Sequence, residues 1–314
     1  MKKLNSKLSF IIPAKDESKS IDILYSEILR EMQKLNLPYE IIFIDDGSID
    51  NTFTKMSNLR KKDKNVKIIR FRGNFGKSAA LDAGFEMAKG GTIFTLDADL
   101  QDDPKEIHKF LKKLEQGADL VVGWKKKRND PVGKVLPSRV LNWIAGKLTK
   151  TNLHDINCGF KAYKSEVAKN LNLYGELYRF IPIIVAKKNY KVDEVAIKHR
   201  VRKFGKSKYG ISRIPRGFLD LLTVVFITGY QGRPGHFFGS LGLISFSFGF
   251  AIGSYIAYLR FSTGSIQNRH PLLFLGMLLM IIGVQLVTTG LIAELTVNFN
   301  RNSKATNNIR ELHK

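Results

Sequence analysis

Four acidic residues lie within residues 97–103, after a short apolar run and before Pro104. Asp97 and Asp99 are two residues apart at a predicted strand end, so their side chains can converge where the chain turns. Carboxylates of this kind suit a hard divalent cation such as Mg²⁺ or Mn²⁺. Such an ion can hold a diphosphate and neutralise it as a leaving group. We therefore predict a metal and diphosphate site at Asp97 and Asp99, and a helix cap at Asp102 or Asp103.

Two further segments place polar residues at predicted element boundaries. Asp45 and Asp46 follow an apolar run, where one carboxylate can accept a hydrogen bond from a nucleobase and the other can cap a turn. Residues 72–78 do not form a P-loop, because Phe71 stands where that motif requires glycine. We still expect Lys77, at the start of a predicted helix, to contact a phosphate group.

The elements that position these residues alternate between strand and helix patterns. Apolar runs predict short strands, and apolar residues at helical spacing predict the helices between them. This order predicts an α/β fold with a mainly parallel sheet covered by helices, and ligands bind such sheets beyond the carboxyl ends of the strands. The predicted strands cover residues 9–12, 40–44, 66–70, 92–96 and 119–122, and the helices cover residues 21–35, 77–89 and the segments after Asn51 and Pro104.

Two long apolar runs follow, at residues 237–259 and 272–295. Each exceeds 20 residues, and about 20 residues suffice to cross a bilayer core. The loop between them carries two basic residues, whereas residues 198–216 carry eight and no acid. The excess of basic residues on the cytoplasmic side predicts a transmembrane hairpin with both termini in the cytoplasm.

Composition narrows the class of protein. The chain has 314 residues, 44% of them hydrophobic, which excludes disorder of the whole chain. Its single cysteine, Cys158, excludes an internal disulfide framework and a CxxC zinc site. The net charge of +23 predicts an anionic partner, either nucleic acid, anionic lipid or a phosphorylated substrate.

Several segments resemble a known family. Residues 9–17, 44–50 and 97–104 resemble the GT-A domain of family 2 glycosyltransferases. Residues 154–163 and 202–209, together with Arg179, Phe180 and the C-terminal hairpin, resemble the polyprenyl-phosphate members, which include dolichol-phosphate mannose synthases and bactoprenol glucosyltransferases. The resemblance covers nearly the whole chain, with mild departures at Lys15, Asp16 and Tyr178.

The resemblance implies a Rossmann-like GT-A domain that transfers a sugar, with inversion, from a UDP- or GDP-sugar to a polyprenyl phosphate at the cytoplasmic membrane face. It implies Mg²⁺ or Mn²⁺ as cofactor and suggests homo-oligomer assembly through the hairpin. By position, Pro13, Ala14, Glu17 and Asp46 line the nucleotide, Asp97 and Asp99 serve the metal and diphosphate, Gln101 serves the sugar or metal, and Arg202 and Lys208 meet the diphosphate or the acceptor phosphate.

A phosphate acceptor is already an anion near neutral pH, so it needs cations to position it more than it needs a general base. Residues 124–139 carry six basic residues, including Lys125, against one acid. We expect Arg128, Ser138 and Arg139 to hold the acceptor phosphate, because arginine presents a planar fork that matches phosphate oxygens.

These expectations divide the chain into a cytoplasmic GT-A domain at residues 1–215, an interfacial amphipathic helix and joint at 216–234, two transmembrane helices at 235–298 and a basic cytoplasmic tail at 299–314. The protein is expected in the inner or plasma membrane of bacterial type.

Two alternatives remain. A processive family 2 polysaccharide synthase would carry a QxxRW element, and neither Trp124 nor Trp143 lies in that context. A basic, membrane-tethered module that binds nucleic acid or lipid has no use for the acidic residues at 97–103. We therefore expect no nucleic-acid partner.

Overall fold

The computed structural model describes residues 6–126, 153–204, 234–266 and 268–299, with side chains described up to Thr296 in the last segment. The chain divides into two compact units, Met1–Val224 and Val225–Lys314. The predicted interfacial helix at 216–234, but for its last residue, and the predicted domain boundary after residue 215 lie outside the described residues.

The first unit alternates strands and helices in the predicted order. In the helix after the first strand, the buried residues Ile21, Leu24, Ile28 and Met32 recur every three or four positions and so form one face toward the sheet. The elements are β1 (Leu8–Ala14), α1 (Ile21–Leu35), β2 (Tyr39–Asp45), α2 (Thr52–Lys62), β3 (Val66–Arg70), α3 (Lys77–Met87), β4 (Thr92–Thr95), a 3₁₀ turn (Pro104–Glu106), α4 (Ile107–Glu115), β5 (Leu120–Lys125), β6 (Lys161–Lys164), α5 (Ser165–Lys169), a second 3₁₀ turn (Leu177–Phe180), α6 (Ile181–Lys187) and β7 (Val192–Ile197).

These strands form one seven-stranded sheet in the order β3-β2-β1-β4-β6-β5-β7. All pairings are parallel except those of β6, which runs antiparallel to both β4 and β5. The carboxyl ends of the six parallel strands therefore meet at one edge, and β6 begins there with Lys161. The prediction of a mainly parallel α/β sheet is confirmed.

The core beneath the acidic loop, which we define as residues 97–103, is aromatic. The ring of Phe94 on β4 stacks on Phe10 at 5.3 Å between centroids, and Phe110 on α4 stacks on Phe160 at 4.3 Å. All four side chains are buried, and burying a side chain of this size stabilises the fold by about 1.5–3 kcal/mol. This packing fixes the end of β4, from which the acidic loop emerges.

The described part of the second unit consists of two long apolar helices, α7 (Pro234–Thr263) and α8 (His270–Phe299). Their mean hydropathy over a membrane-length window is 1.5 and 2.3, and only 11% of each window is buried, unlike the core helices of a soluble protein. By length and composition both can cross a membrane. The two helices therefore fit the transmembrane hairpin that the sequence predicts.

The two apolar helices meet along glycines that face each other in antiparallel order. On α7 these are Gly235, Gly242 and Gly249, which face Gly290, Gly283 and Gly276 of α8. A Cβ added at Gly242 would lie 2.6 Å from the carbonyl oxygen of Gly283, so only glycine permits this approach. We call these six residues the glycine seam. At one end of the seam, the backbone N–H of Gly235 donates to Oε2 of Glu294 at 3.0 Å.

Candidate active site

Two loops at the carboxyl edge of the sheet are tied to each other. After β1, the backbone N–H of Asp16 donates to Oγ of Ser48 at 3.0 Å, and the N–H of Ile49 donates back to Asp16 Oδ1 at 2.9 Å. The N–H of Glu17 donates to Oγ1 of Thr52 at 2.8 Å. Asp16 has φ of 51°, a left-handed conformation that aspartate tolerates. The predicted nucleotide-lining residues on this rim are Pro13, Ala14 and Glu17, of which the first two end β1.

The two aspartates that follow one another at the end of β2 have different partners. Asp45 accepts a hydrogen bond from the N–H of Ser48 at 3.0 Å and so caps the turn. Asp46 accepts from the N–H groups of Phe75 at 2.7 Å and Gly76 at 3.1 Å, and its side chain is buried. Asp46 therefore holds the loop that leads into α3, which places Lys77 at the edge of the sheet.

Asp97 is the first carboxylate of the acidic loop, and Lys77 forms an ion pair with it. Burial of the carboxylate opposes its ionisation, but the charge and hydrogen bond of Lys77, together with the charges of Lys125 and Lys161, outweigh burial and lower the pKa of Asp97. Gly159 lies directly against the carboxylate, because a Cβ at that position would collide with its oxygen. The cationic end of Lys77 also lies 5.1 Å from the centre of the Tyr178 ring. Lys77, predicted to meet a phosphate, thus lies beside the predicted metal ligand.

Asp99, two residues further along, contacts an arginine from a distant segment. Nη2 of Arg202 lies 2.5 Å from Asp99 Oδ2, while Oδ1 accepts from the N–H of Gln101 at 3.1 Å. Leu100 between them has φ of 61°, and this left-handed residue turns the chain sharply. The structure therefore places Asp97 beside Lys77, and Asp99 beside Gln101 and Arg202, after the end of β4.

A third carboxylate lies beneath the first two. Asp102 is buried, and its Oδ1 lies 3.1 Å from Nζ of Lys125 at the end of β5. Burial raises the pKa of Asp102, and the negative charges of Asp97 and Asp99 raise it further. The three carboxylates therefore act on one another electrostatically. Asp103, in contrast, accepts from the N–H of Lys105 at 3.0 Å and is the cap of the 3₁₀ turn.

The carboxylates fit a hard divalent cation. Within the described residues, no group of three or more His, Cys, Asp or Glu side chains forms a metal centre. Mg²⁺, however, is commonly held by one or two carboxylates and completes its coordination with substrate phosphates and water. Asp97 and Asp99 supply oxygen donors of that type at the edge of the sheet where a phosphate ligand would bind.

Sequence reasoning missed two buried lysines at this edge. It placed Lys125 in a basic segment for the acceptor, whereas the structure buries it against Asp102. Lys161, at the start of β6, is buried and donates to the carbonyl oxygen of Cys158. Lys161 stands between Phe160 and Ala162, and a lysine inside an apolar pattern is the signal that could have identified it. Lys125 opens a run of basic residues and gives no such signal. Cys158 itself is buried, and burial raises its pKa to about 12.

The basic segment and its neighbours are only partly described. Arg128, Ser138, Arg139 and Lys208 lie outside the described residues. At the two ends of the gap, the ring of His154 stacks on Trp124 at 4.2 Å, and the N–H of His154 donates to Glu194 at 2.8 Å.

The chain is similar to two polyprenyl-phosphate enzymes over most of its length. The chain is 38% identical over 293 residues to dodecaprenyl-phosphate galacturonate synthase of Rhizobium johnstonii, covering 92% of this chain and 87% of that protein. It is 31% identical over 290 residues to undecaprenyl-phosphate 4-deoxy-4-formamido-L-arabinose transferase of Photorhabdus laumondii, covering 92% and 88%.

Solved structures share the fold at low sequence identity. Glucosyl-3-phosphoglycerate synthase from Mycobacterium tuberculosis, solved with Mn²⁺ and UDP-glucose, has a TM-score of 0.54 at 17% identity, over 71% of this chain and 79% of that one. Mannosyl-3-phosphoglycerate synthase from Rubrobacter xylanophilus has a TM-score of 0.56 at 15% identity, over 71% and 73%. Their likeness confirms the predicted GT-A fold.

A family model gives the same assignment. The model described as glycosyl transferase family 2 matches residues 9–171, which run from the second residue of β1 past β6 and include the whole acidic loop. The chain is therefore a glycosyltransferase, and it belongs to glycosyl transferase family 2, among the polyprenyl-phosphate members of that family.

Proposed function

We propose that the protein transfers a sugar from a nucleotide-sugar, UDP- or GDP-linked, to a polyprenyl phosphate, with inversion at the anomeric carbon. The observation that carries the proposal is the cluster at the end of β4, where the carboxylates Asp97 and Asp99 lie beside the cations Lys77 and Arg202. Such a cluster suits a diphosphate leaving group, and relatives at 38% and 31% identity are named as polyprenyl-phosphate enzymes.

In the proposed reaction, a phosphate oxygen of the lipid forms a bond to the anomeric carbon as the bond from that carbon to the nucleoside diphosphate breaks. Asp97, Asp99 and Gln101 would hold Mg²⁺ or Mn²⁺, which neutralises charge on the diphosphate. Arg202 and Lys77 lie beside these carboxylates and would add positive charge next to the diphosphate. The nucleophile is already ionised near neutral pH, so the residues at this edge orient charge and need not remove a proton.

We assign the donor and the acceptor to different sets of residues. Pro13, Ala14, Glu17 and Asp46 would line the nucleotide, on the rim formed by the loops after β1 and β2. Arg128, Ser138 and Arg139 would serve the acceptor phosphate, and Lys208 would meet either the diphosphate or the acceptor phosphate. Replacing Arg128 or Arg139 by alanine should weaken transfer to the lipid roughly 10- to 100-fold and leave calorimetric donor affinity nearly unchanged. Loss of donor affinity with an unchanged lipid dependence would contradict this division.

We also propose that the sheet domain and both termini are cytoplasmic, because the basic residues flank the two apolar helices on that side. A reporter inserted at residues 264–268 should be extracytoplasmic, and one fused after Lys314 should be cytoplasmic. Reporters on the same side would mean that one of the helices does not span the membrane. The amphipathic segment 216–234 would lie along the interface, and the hairpin would provide any homo-oligomer contact.

Donor screening tests the reaction itself. Purified protein in detergent is given undecaprenyl phosphate, Mg²⁺ or Mn²⁺, and a panel of UDP- and GDP-sugars, and lipid-linked product is measured. One or a few donors should give product, and none should do so when the lipid lacks its phosphate. Polymer without lipid-linked monosaccharide would support a processive synthase instead.

A further inference from the structure

The chain that follows β7 runs beside the acidic loop. Asp102 and His199 form an antiparallel β-bridge, and the backbone N–H of Arg200 donates to the carbonyl oxygen of Gln101 at 2.9 Å. We call residues 198–202 the crossing segment. It brings basic side chains across the end of β4 from a strand at the far edge of the sheet.

Arg200 holds the crossing segment to two other elements of the domain. Its Nη1 donates to Glu27 on α1, at 2.9 Å to Oε1 and 2.7 Å to Oε2. Its Nη2 lies 2.6 Å from Oδ1 of Asp103, the cap of the 3₁₀ turn. These side chains are between 12% and 24% exposed, so water screens the contacts only in part. Burial opposes the charge of Arg200, but Asp103 and Glu27 outweigh it and raise its pKa.

Arg202 lies two residues beyond this anchor. Alternate residues of an extended segment point to the same side, and Val201 between the two arginines is 65% exposed while they are not. Arg200 and Arg202 therefore face the acidic loop together. Arg200 contacts Asp103 near the end of the loop, and Arg202 contacts Asp99 near its start. The side-chain contacts of Arg200, together with the backbone contacts of His199 and Arg200, hold the chain just before Arg202.

We propose that Arg200 is a positioning residue for sugar transfer: by joining Glu27 and Asp103 it fixes the crossing segment and so holds Arg202 at the diphosphate site. The proposal rests on the proposed function in one respect, the role of Arg202 toward the diphosphate. The three side-chain contacts of Arg200 described above all go to carboxylates of the protein, so its proposed effect on the reaction is through Arg202. Holding a cation in place before the reaction lowers the barrier because no reorganisation is then needed.

The kinetic test is a double-mutant cycle. Arg200→Met should lower kcat roughly 10- to 100-fold with little change in the KM for the donor, and Arg202→Met should lower it at least as much. If Arg200 acts through Arg202, the double variant should be no slower than Arg202→Met alone. Arg200→Lys should recover part of the rate. The matched control is Arg30→Met. Arg30 is exposed and lines a small cavity together with Glu27, Asp103 and Arg200, and its replacement should leave kcat unchanged.

Losses that multiply in the double variant would mean that Arg200 only supports the fold, and they would overturn the proposal. If Arg200→Met does not fold, Glu27→Gln weakens one side of the anchor, and it should lower kcat in the same direction by a smaller factor. That loss too should vanish in the Arg202→Met background.

Hydrogen–deuterium exchange tests whether Arg200 anchors the crossing segment, independently of the transfer reaction. In the full-length protein, Arg200→Met should speed exchange of the peptide that contains residues 198–204, and Arg30→Met should not. Unchanged exchange in Arg200→Met would overturn the proposal. The wild-type assay reports separately on the function: without lipid-linked sugar, the proposed transfer is contradicted, while the exchange result still decides whether Arg200 anchors the segment.

Discussion

Nζ of Lys125 lies 3.1 Å from Oδ1 of Asp102, and the two side chains are only 14% and 2% exposed. Burial opposes the charge on Lys125, but Asp102 and the other acidic groups nearby together outweigh burial and raise the pKa of the lysine. The pair joins the end of β5 to the underside of the acidic loop. Lys125 supplies one positive charge close to the carboxylates of Asp97, Asp99 and Asp102, and so it balances part of the negative charge at the site.

Removing that charge should destabilise the domain. Lys125→Met leaves Asp102 buried without its partner, and breaking a buried pair from one side costs about 3–5 kcal/mol. Thermal unfolding in detergent should show the loss, and adding Asp102→Asn should recover most of it.

The same variant should show a pH dependence of defined sign. The pKa of Asp102 is already raised, and without Lys125 burial and the neighbouring carboxylates raise it without opposition. A group whose pKa is raised on folding contributes stability at low pH and loses it as pH rises. Lys125→Met should therefore approach the stability of wild type at pH 5 and depart from it at pH 8. A constant difference would contradict this account.

Lys161 predicts a second pH dependence, with the opposite sign. Burial lowers its pKa from 10.5 to about 8. Between these two values the unfolded chain binds the proton and the folded chain does not, so stability rises with pH across that window. Relative to Lys161→Met, the free energy of unfolding of wild type should rise by about 3 kcal/mol from pH 8 to pH 10.5. Parallel stability curves for the two proteins would show that Lys161 is not buried.

Replacing Gly159 by alanine tests whether the position of the Asp97 carboxylate matters to the reaction. In Gly159→Ala the new methyl group would meet the end of a flexible side chain, so the Asp97 carboxylate should move while the fold survives. We expect kcat to fall by at least about tenfold, with a change in unfolding temperature of a few degrees at most. Gly73→Ala is the control, since a Cβ there meets open space.

The metal assignment is tested at Asp99. Asp99→Asn keeps the size of the side chain but removes its negative charge, and so it should nearly abolish transfer without unfolding the domain. Activity of the wild type should disappear in EDTA and return with Mg²⁺ or Mn²⁺. As a control, Asp193→Asn removes a carboxylate that pairs with Lys113 on the surface and should be silent. Full activity in chelator would refute the metal.

The glycine seam predicts a contrast between two glycines of α7. Gly249→Val should separate the helices, because a Cβ there would lie 2.5 Å from the carbonyl oxygen of Gly276. Overpacking of this kind typically costs about 1–3 kcal/mol. Gly253→Val, one turn away, meets nothing within 4 Å and should leave the unfolding temperature of the full-length protein unchanged. Equal effects of the two substitutions would argue against the seam.

Local patterns predicted most of the sheet, and long-range pairing explains what they missed. The strands from β1 to β5 follow from short apolar runs, because each run and its following helix are encoded within a few residues. The position of β6 depends on Thr95 and Val122, which pair with Lys161 from far away in the sequence. No periodicity within residues 161–164 reports such partners, so an antiparallel strand inside the parallel sheet was not predicted.

At the candidate site too, the local sequence pattern does not reveal long-range contacts, even for adjacent residues. Asp102 and Asp103 both precede Pro104 and are equivalent candidates for a cap by sequence. Asp103 is the cap, whereas Asp102 is buried against Lys125. This difference depends on Lys125 at the end of β5, which is distant in the sequence, so the local pattern does not show it. Likewise, by sequence Arg200 is only one of the eight basic residues at 198–216. The crossing segment shows that it contacts carboxylates.

The spacing of the seam also limits how the length of the hairpin can change. Its glycines recur at every seventh residue, at 235, 242 and 249 in one helix and at 276, 283 and 290 in the other. Deleting a single residue between two of them would rotate every later glycine by about 100° away from its partner. Adding two full turns to both helices would keep the glycines opposed, to within about 20°. The hairpin can therefore lengthen only in steps of about 10 Å, and it must meet smaller differences in bilayer thickness by tilting as a unit.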